Sequence, residues 1–220
     1  MEKLDLQAKK PVIILGSGGH AGVLLGMLRR GGYDIVGVTD PCRTKGENWL
    51  GCQVLGDDTG VSAWAPGQVS LINGVGSLPG DKALRRRLYE LFIGQGYDFQ
   101  MLIDPTAFVA DESLLHCGVQ VMAGAIIQTG TQIAENCIIN SGAIVEHDCR
   151  IGRHVHIAPG AVLSGGVEVG DYVHIGCGAV VIQGLRIGAG SVIGAGSVVT
   201  RDVGSRQIVY PARAHIQDLT

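Results

Sequence analysis

The hydrophobic positions of the second half of the chain repeat with an unusual period. Every sixth residue from Val109 to Val199 is aliphatic, without an exception. The residue two positions earlier is usually small or aliphatic, and glycine often follows the aliphatic residue, as in Ile151-Gly152. Neither an amphipathic helix nor an alternating strand has this period. We interpret the pattern as hexapeptide repeats, in which short extended segments alternate with turns. Glycine or asparagine relieves the backbone strain of these turns.

The hexads predict a parallel β-helix. Stacked coils bond backbone to backbone at a spacing of about 4.8 Å, so each coil covers the edge of the next. The hexads resemble those of the left-handed β-helix acyltransferases, in which three hexads make one triangular coil. On that basis the stretch of about 95 residues near 105 to 202 would form roughly five coils.

The first hundred residues follow helix and strand periods instead. An apolar run from Val12 to Leu15 is followed by a glycine-rich turn and by apolar residues at helical spacing up to Arg29-Arg30. Further strands are predicted over Ile35 to Val38 and Ser70 to Val75, and the stretch from Pro41 to Pro66 is interpreted as loop. Alternating strands and helices predict a small parallel sheet covered by helices, ending near residue 104.

A second helix is predicted after Asp81, its expected N-cap. Leu84, Leu88 and Leu91 lie on one face at helical spacing, and the three arginines from 85 to 87 are expected on the other face.

Composition and charge exclude several classes of function. The net charge of -3 offers no basic surface for nucleic acid or an anionic membrane. The 6 cysteines form no CxxC pair, and we expect reduced thiols in a cytoplasmic protein. The segment from Met1 to Lys10 lacks the apolar stretch that a signal peptide contains, so export is not expected. No stretch of 18 apolar residues occurs in the sequence, so membrane insertion is not expected either.

The turn from Gly16 to His20 places backbone amides and a helix N-terminus at the end of a strand, a geometry suited to phosphate. Asp40 lies where a ribose-binding carboxylate is expected in a dinucleotide fold. Because about 90 residues are too few for two mononucleotide halves, one nucleotide is favoured over NAD. The alternative is a tight turn without a ligand.

Histidines are the second group of candidate functional residues. His147 stands between Glu146 and Asp148, and a carboxylate beside an imidazole can fix its tautomer and stabilise the imidazolium. In a strand both neighbours would point away from His147, so this pairing requires a corner. A solvated turn is the alternative.

Two further pairs have simpler interpretations. His156 and His174 are one presumed coil apart and should stack, and His174 is expected to be a surface residue. Cys137 and Cys149 fall on small inward positions and are expected in the core rather than as nucleophiles.

Four features of the sequence point to one family: the hexads, Gly16-Ser17-Gly18-Gly19-His20, the segment from Asn140 to Asp148 and the segment from Ile151 to Gly160. On these features, and over nearly the whole chain, the sequence resembles the bacterial sialic-acid O-acetyltransferase and UDP-4-amino-sugar N-acetyltransferase family. The resemblance implies an α/β Rossmann-like domain over 1–104 that holds the nucleotide sugar. It also implies an all-β left-handed parallel β-helix over 105–220 that binds acetyl-CoA between subunits of a homotrimer.

The resemblance also implies roles for single residues. His147 would be the general base and Asp148 its modulator, with no metal. Acetyl-CoA would contact His156, Cys177 and Ala195, and the sugar nucleotide would contact Gly18, Gly19, His20, Asp40 and Gly76. The tail differs from the family pattern, since Val209 stands where the family commonly has glycine.

The expected activity is acetyl-CoA-dependent N-acetylation of the 4-amino group of a UDP-linked amino sugar, of the bacillosamine type used in glycan biosynthesis. Direct transfer agrees with the lack of a convincing serine or cysteine nucleophile. The alternatives are a sialic-acid type O-acetyltransferase, a β-helix zinc carbonic anhydrase with three histidine ligands, a trimerising scaffold or nucleotide sensor, and a nicotinamide oxidoreductase.

Overall fold

The computed structural model describes residues 10–77, 79 and 83–212. The chain divides into two compact units, and a short segment of the hexad series, His116–Gln120, groups with the N-terminal residues. Unit 1 is Met1–Pro105 with His116–Gln120, and unit 2 is Thr106–Leu115 with Val121–Thr220.

Unit 1 is an α/β domain built on a four-stranded sheet. Its elements are β1 (Val12–Leu15), α1 (Gly19–Arg30), β2 (Ile35–Thr39), β3 (Asn48–Trp49), β4 (Cys52–Gln53), a 3-10 helix (Asp58–Ala63), β5 (Ser70–Asn73), α2 (Leu84–Gly94), β6 (Asp98–Phe99) and β7 (Leu102–Ile103). The main sheet has the order β2-β1-β5-β6, and all of its pairs are parallel. The predicted small parallel sheet is thus confirmed.

The strand order of unit 1 creates a crevice. The chain runs from β1 through α1 to β2 on one side, and β5 then pairs with the other side of β1. Loops after β1 and β5 therefore leave the sheet in opposite directions, and ligands of open α/β sheets bind at such a switch point.

Two expectations for unit 1 are wrong. The stretch from Pro41 to Pro66 contains the antiparallel hairpin of β3 and β4 and the 3-10 helix, in which the side chain of Asp57 accepts from the backbone amide of Thr59. Only Leu88 of the three leucines predicted on the inner face of α2 is buried. Leu84 and Leu91 are about half exposed.

The buried face of α2 is instead formed by Leu88, Tyr89, Phe92 and Arg85. Arg85 is buried because its guanidinium donates to the carbonyl oxygens of Asn73 and Val75. An arginine can be buried when its donors are satisfied in this way. Asp81, the expected N-cap of this helix, lies outside the described residues.

Unit 2 is a left-handed parallel β-helix of about six turns, one more than the five coils expected. The strands continue beyond residue 202, because β24 pairs with β22. The strands from 108 onward are β8 (Phe108–Val109), β9 (Leu114–Leu115), β10 (Gln120–Val121), β11 (Ile126–Ile127), β12 (Gln132–Ile133), β13 (Ile138–Ile139), β14 (Ile144–Val145), β15 (Arg150–Ile151), β16 (His156–Ile157), β17 (Val162–Leu163), β18 (Glu168–Val169), β19 (His174–Ile175), β20 (Val180–Val181), β21 (Arg186–Ile187), β22 (Val192–Ile193), β23 (Val198–Val199) and β24 (Ile208–Val209).

The hexad pattern forms the core of the β-helix. Every periodic aliphatic residue from Val121 to Val199 is at least 95 % buried, and the small residues two positions earlier are buried as well. Cys137 and Cys149 are among them, as expected. Val209, the departure in the tail, belongs to β24 and pairs with Ile193.

From Gly118 to Gly196 the coils turn at three corners, and the residue at each corner has a positive φ, which favours glycine. Corner 1 is the ladder of Gly130, Asp148, Gly166 and Gly184, corner 2 is Gly118, Asn136, His154, Tyr172 and Gly190, and corner 3 is Gly124, Gly142, Gly160, Gly178 and Gly196. The turns predicted at glycine and asparagine are confirmed.

The three faces between the corners differ in their outward residues. The apolar face, between corners 3 and 1, carries Phe108, Ile126, Ile144, Val162, Val180 and Val198. The charged face, between corners 1 and 2, begins with the exposed Leu114 and then carries Gln132, Arg150, Glu168 and Arg186. The histidine face, between corners 2 and 3, carries Ile138, His156, His174, Val192 and Ile208.

In the part of the chain that the structure describes, neither α1 nor α2 is long and apolar enough to cross a membrane.

Candidate active site

The glycine-rich turn lies at the switch point of unit 1. Gly18 is the N-cap of α1 and Gly19 is its first residue, and a Cβ added at either would meet no atom within 4 Å. Gly16 has a φ of +88°, which favours glycine. The backbone amides at the start of α1 are therefore open to a ligand, and this end of a helix favours an anion.

Asp40 contacts this turn from the end of β2. One carboxylate oxygen accepts hydrogen bonds from the backbone amide and hydroxyl of Ser17, and the other accepts from the amide of Cys42. Burial raises the pKa of Asp40, but these hydrogen bonds and the charge of Arg43 outweigh it, and the pKa lies below its ordinary value. The carboxylate is thus anionic at neutral pH and fixes the conformation of the turn.

His20 and Gly76 lie next to each other at the switch point. A Cβ added to Gly76 would lie 3.6 Å from the Cβ of His20, and His20 Nε2 is 2.8 Å from Oε1 of Gln120. The structure therefore brings together all five residues expected at the nucleotide sugar: Gly18, Gly19, His20, Asp40 and Gly76.

His147 and Asp148 form a pair at corner 1 of unit 2. Asp148 has a φ of +60°, and its carboxylate lies 2.8 Å from Nδ1 of His147. The corner required for this pairing is thus present. Because the carboxylate can only accept, Nδ1 of His147 carries the hydrogen, and in the neutral ring Nε2 has a free lone pair. That nitrogen can accept a proton from a substrate, and both side chains are exposed.

The imidazole of His147 lies against Gly165 of the next coil. A Cβ added to Gly165 would lie 2.5 Å from Nε2 and 2.6 Å from Cε1 of the ring. Gly165 does not have a positive φ, so the backbone there would accept an alanine. The glycine therefore provides space for the ring in the position that the structure gives it.

His156 is fixed on the histidine face. The amide oxygen of Asn140 accepts from the backbone amide of Ser141, which turns its Nδ2 towards His156 Nε2 at 3.1 Å. Nε2 of His156 is therefore the acceptor. His156 pairs with His174 in the register of neighbouring strands, so the predicted placement of the two residues on successive coils is confirmed. His156 is 8 % exposed, and its ring meets that of His174 edge-on, with 4.8 Å between the ring centres.

Cys177 and Ala195 lie one above the other at corner 3. Both are exposed, and the amide of Gly196 donates to the carbonyl oxygen of Cys177. Together with His156 on the adjoining histidine face, they follow one edge of the β-helix. Within one chain this edge and the His147 corner are separated by the apolar face.

The buried cysteines are poor nucleophiles. Burial raises the pKa of the Cys149 thiol to about 11, so this thiol is protonated at neutral pH. The Sγ atoms of Cys137 and Cys149 lie 3.0 Å and 3.3 Å from backbone carbonyl oxygens of the next coil, those of Gly152 and Ser164. Their environment is that of core residues.

Sequence reasoning missed Gly165, Asn140 and Gln120 as partners of the candidate histidines. Gly165 is 18 residues after His147, one coil later, so the coil period could have found it. The contacts of Asn140 and Gln120 depend on side-chain orientation, and no periodic pattern in the sequence marks them.

No group of three histidine, cysteine, aspartate or glutamate side chains that could hold a metal ion occurs among residues 10–77, 79 and 83–212.

Comparisons with protein families match both units. Residues 11–92 match the PglD N-terminal domain, and residues 130–165 and 166–201 match the bacterial transferase hexapeptide family of six repeats. Among curated proteins, no significant match occurs.

Solved structures match over almost the full chain. PerB from Caulobacter crescentus, in complex with CoA and GDP-perosamine, is 37% identical, with 90% of this chain and 92% of PerB covered and a TM-score of 0.81. The acetyltransferase domain of PglB from Neisseria gonorrhoeae, in complex with acetyl coenzyme A, is 31% identical, with 93% and 98% covered and a TM-score of 0.84. The chain therefore belongs to the hexapeptide-repeat family of acetyl-CoA-dependent sugar N-acetyltransferases.

Proposed function

We propose that the chain transfers the acetyl group of acetyl-CoA to the 4-amino group of a nucleotide-linked amino sugar, with His147 as the general base. The observation that carries this proposal is the 2.8 Å contact between His147 Nδ1 and Asp148, which leaves Nε2 as the acceptor. An imidazole is the side chain that most often serves as a general base near neutral pH.

The reaction proceeds by direct transfer. The neutral amine attacks the thioester carbonyl carbon, a C–N bond forms, and the C–S bond breaks to release CoA as its thiolate. The amine loses a proton as it attacks, and His147 Nε2 takes that proton while Asp148 stabilises the imidazolium. No acyl-enzyme is needed, and the raised pKa of Cys149 agrees with this route.

Unit 1 holds the nucleotide sugar in this proposal. The open amides at Gly18 and Gly19 are suited to its diphosphate, and His20 and Gly76 line the same crevice. Asp40 acts here through the turn, because both of its oxygens already accept hydrogen bonds from Ser17 and Cys42. We therefore assign Asp40 to positioning of the turn.

Acetyl-CoA lies along the edge formed by His156, Cys177 and Ala195, and the active site is shared between copies of a homotrimer. The apolar face supports this arrangement, because the six residues that stack at its first outward strand position are all hydrophobic. Packing through this face in a closed ring brings corner 1 of one copy towards corner 3 of the next. His147 and the coenzyme edge, which lie on different corners of one chain, then meet at the interface.

The apolar face gives a direct prediction about assembly. Val162→Asp places a charge at the centre of this face, and burying that charge in an interface is costly. We expect the variant to be a folded monomer with little activity, measured by light scattering and circular dichroism. Gln132→Asp, on the exposed charged face, should remain trimeric. A trimeric Val162→Asp variant would contradict the proposed interface.

The nucleotide of the acceptor has two candidates. The sequence resemblance favours a UDP-linked amino sugar of the bacillosamine type. The similarity to PerB, crystallised with GDP-perosamine, favours a GDP-linked amino sugar as the second candidate. We place the reaction in the cytoplasm, where acetyl-CoA and nucleotide sugars are made.

The test is continuous measurement of thiol release from acetyl-CoA with four acceptors in parallel: a UDP-4-amino-4,6-dideoxy sugar, GDP-perosamine, CMP-sialic acid and free sialic acid. We expect rapid release with one of the two amino-sugar nucleotides, which identifies the nucleotide. Release with a sialic acid alone would replace amine acetylation by O-acetylation.

A further inference from the structure

Gln120 forms a buried bridge between the end of β5 and the first turn of α1 in unit 1. Its side chain is 1 % exposed. The amide nitrogen donates to the carbonyl oxygen of Asn73 at 2.9 Å, and the amide oxygen lies 2.8 Å from Nε2 of His20. Both ends of the amide therefore have partners, as a buried amide requires.

The chemistry of these partners fixes the orientation of the Gln120 amide. The carbonyl oxygen of Asn73 can only accept, and it also accepts from the guanidinium of Arg85 at 2.9 Å. The NH2 group of Gln120 must therefore face Asn73, and its oxygen must face His20. An oxygen acceptor at 2.8 Å requires a hydrogen on Nε2 of His20.

Asn73 is itself held rigidly. It is 1 % exposed at the end of β5, and its side-chain amide donates to the carbonyl oxygen of Arg85 and accepts from the backbone amide of Val75. The bridge from Asn73 through Gln120 to His20 is thus anchored in the sheet, and a satisfied buried network of this kind restricts orientation.

The bridge ends at the switch point. His20 is the second residue of α1, directly after the open amides of Gly18 and Gly19, and it packs against Gly76. We propose that Gln120 is a positioning residue that holds His20 as the Nε2-protonated tautomer, with its ring oriented for the nucleotide sugar. This inference rests on the proposed function for the identity of the ligand, whereas the tautomer can be measured without it.

The first readout is the tautomer of His20, from nitrogen-15 NMR of the histidine-labelled full chain. The His20 signals are assigned by their absence from the spectrum of His20→Gln. We expect neutral His20 in the unsubstituted protein to be a single Nε2-protonated form. Mixed tautomers, or a hydrogen on Nδ1, would overturn the proposal for Gln120 whatever the enzymatic activity. A failure of this proposal can therefore be distinguished from a failure of the proposed function.

The second readout uses variants of Gln120. Gln120→Met keeps the length and removes both polar contacts, and we expect mixed tautomers and a KM for the nucleotide sugar raised about two- to tenfold. The KM for acetyl-CoA should not change. Gln120→Glu keeps an oxygen for His20 and should keep the Nε2-protonated form.

The matched control is Gln132→Met, the same change at the same strand position of the exposed charged face, which should leave both readouts unchanged. A Gln120→Met variant with an unchanged tautomer, or with equal losses for both substrates, would show that Gln120 has only a structural role. If Gln120→Met does not fold, the tautomer of the unsubstituted protein decides the proposal.

Discussion

His147→Ala should lower kcat by about 10²- to 10⁴-fold, the contribution of a general base. The imidazole is more than half exposed, and its recorded contacts are the hydrogen bond with Asp148 and the close approach to Gly165. Its removal leaves no buried group without a partner and creates no cavity, so we expect the fold to persist. The measurement is thiol release at saturating concentrations of both substrates, with circular dichroism as the check on folding.

The matched control for this variant is His116→Ala. His116 is exposed and belongs to unit 1, outside the candidate residues. It should keep normal turnover. Near-normal turnover in His147→Ala would eliminate His147 as the base. An equal loss in both variants would point to a general effect of losing a histidine.

Gly165→Ala should lower kcat by about 10²-fold through displacement of His147, since a misplacement of about 1 Å can cost that much. The added methyl group would lie 2.5 Å from Nε2 of His147, which no Cβ tolerates, and the flexible imidazole is the group that moves. Because Gly165 carries no positive φ, the backbone itself is not strained. Steady-state kinetics with the preferred acceptor measures the effect.

A double-mutant cycle separates this displacement from a general defect. In the His147→Ala background the methyl group at residue 165 has no ring to displace, so Gly165→Ala should add nothing further to the loss. Gly94→Ala is the control for adding a methyl group, because a Cβ at Gly94 would meet no atom within 4 Å. Additive losses in the double variant would mean that Gly165 acts on the fold and not on His147.

The β-helix could be predicted because its rule is local. Each hexad needs one inward aliphatic residue and one residue that accepts a corner, and the burial of Val121 to Val199 follows that rule. The same rule, applied with the coil period, places Cys177 above Ala195 and His156 beside His174. Only the number of coils was underestimated, since β24 extends the last sheet.

The N-terminal unit was harder to predict because its packing is not local. Leu84 and Leu91 of α2, expected on one apolar face, are exposed, whereas Arg85 is buried and donates to the carbonyl oxygens of Asn73 and Val75. Asn73 and Val75 are 12 and 10 residues away along the chain. The Gln120 bridge spans an even larger separation, so helical or strand periods could not indicate it.

The candidate site could be predicted as separate groups of residues but not as one site. The pairing of His147 with Asp148 depends on neighbouring residues and a corner, which the sequence indicates. The orientation of Asn140 towards His156 and the space above Gly165 depend on the stacking of coils, which sets the distances between side chains.

In the proposed reaction the acetyl group is transferred to an amine of the sugar. The most direct measurement is the chemical stability of the product, formed from acetyl-CoA and the better of the two amino-sugar nucleotides and followed by mass spectrometry before and after mild base. We expect a single added acetyl group that survives the base, because an amide is stable under conditions that hydrolyse an ester. An acetyl group lost in base would identify an ester and contradict the claim.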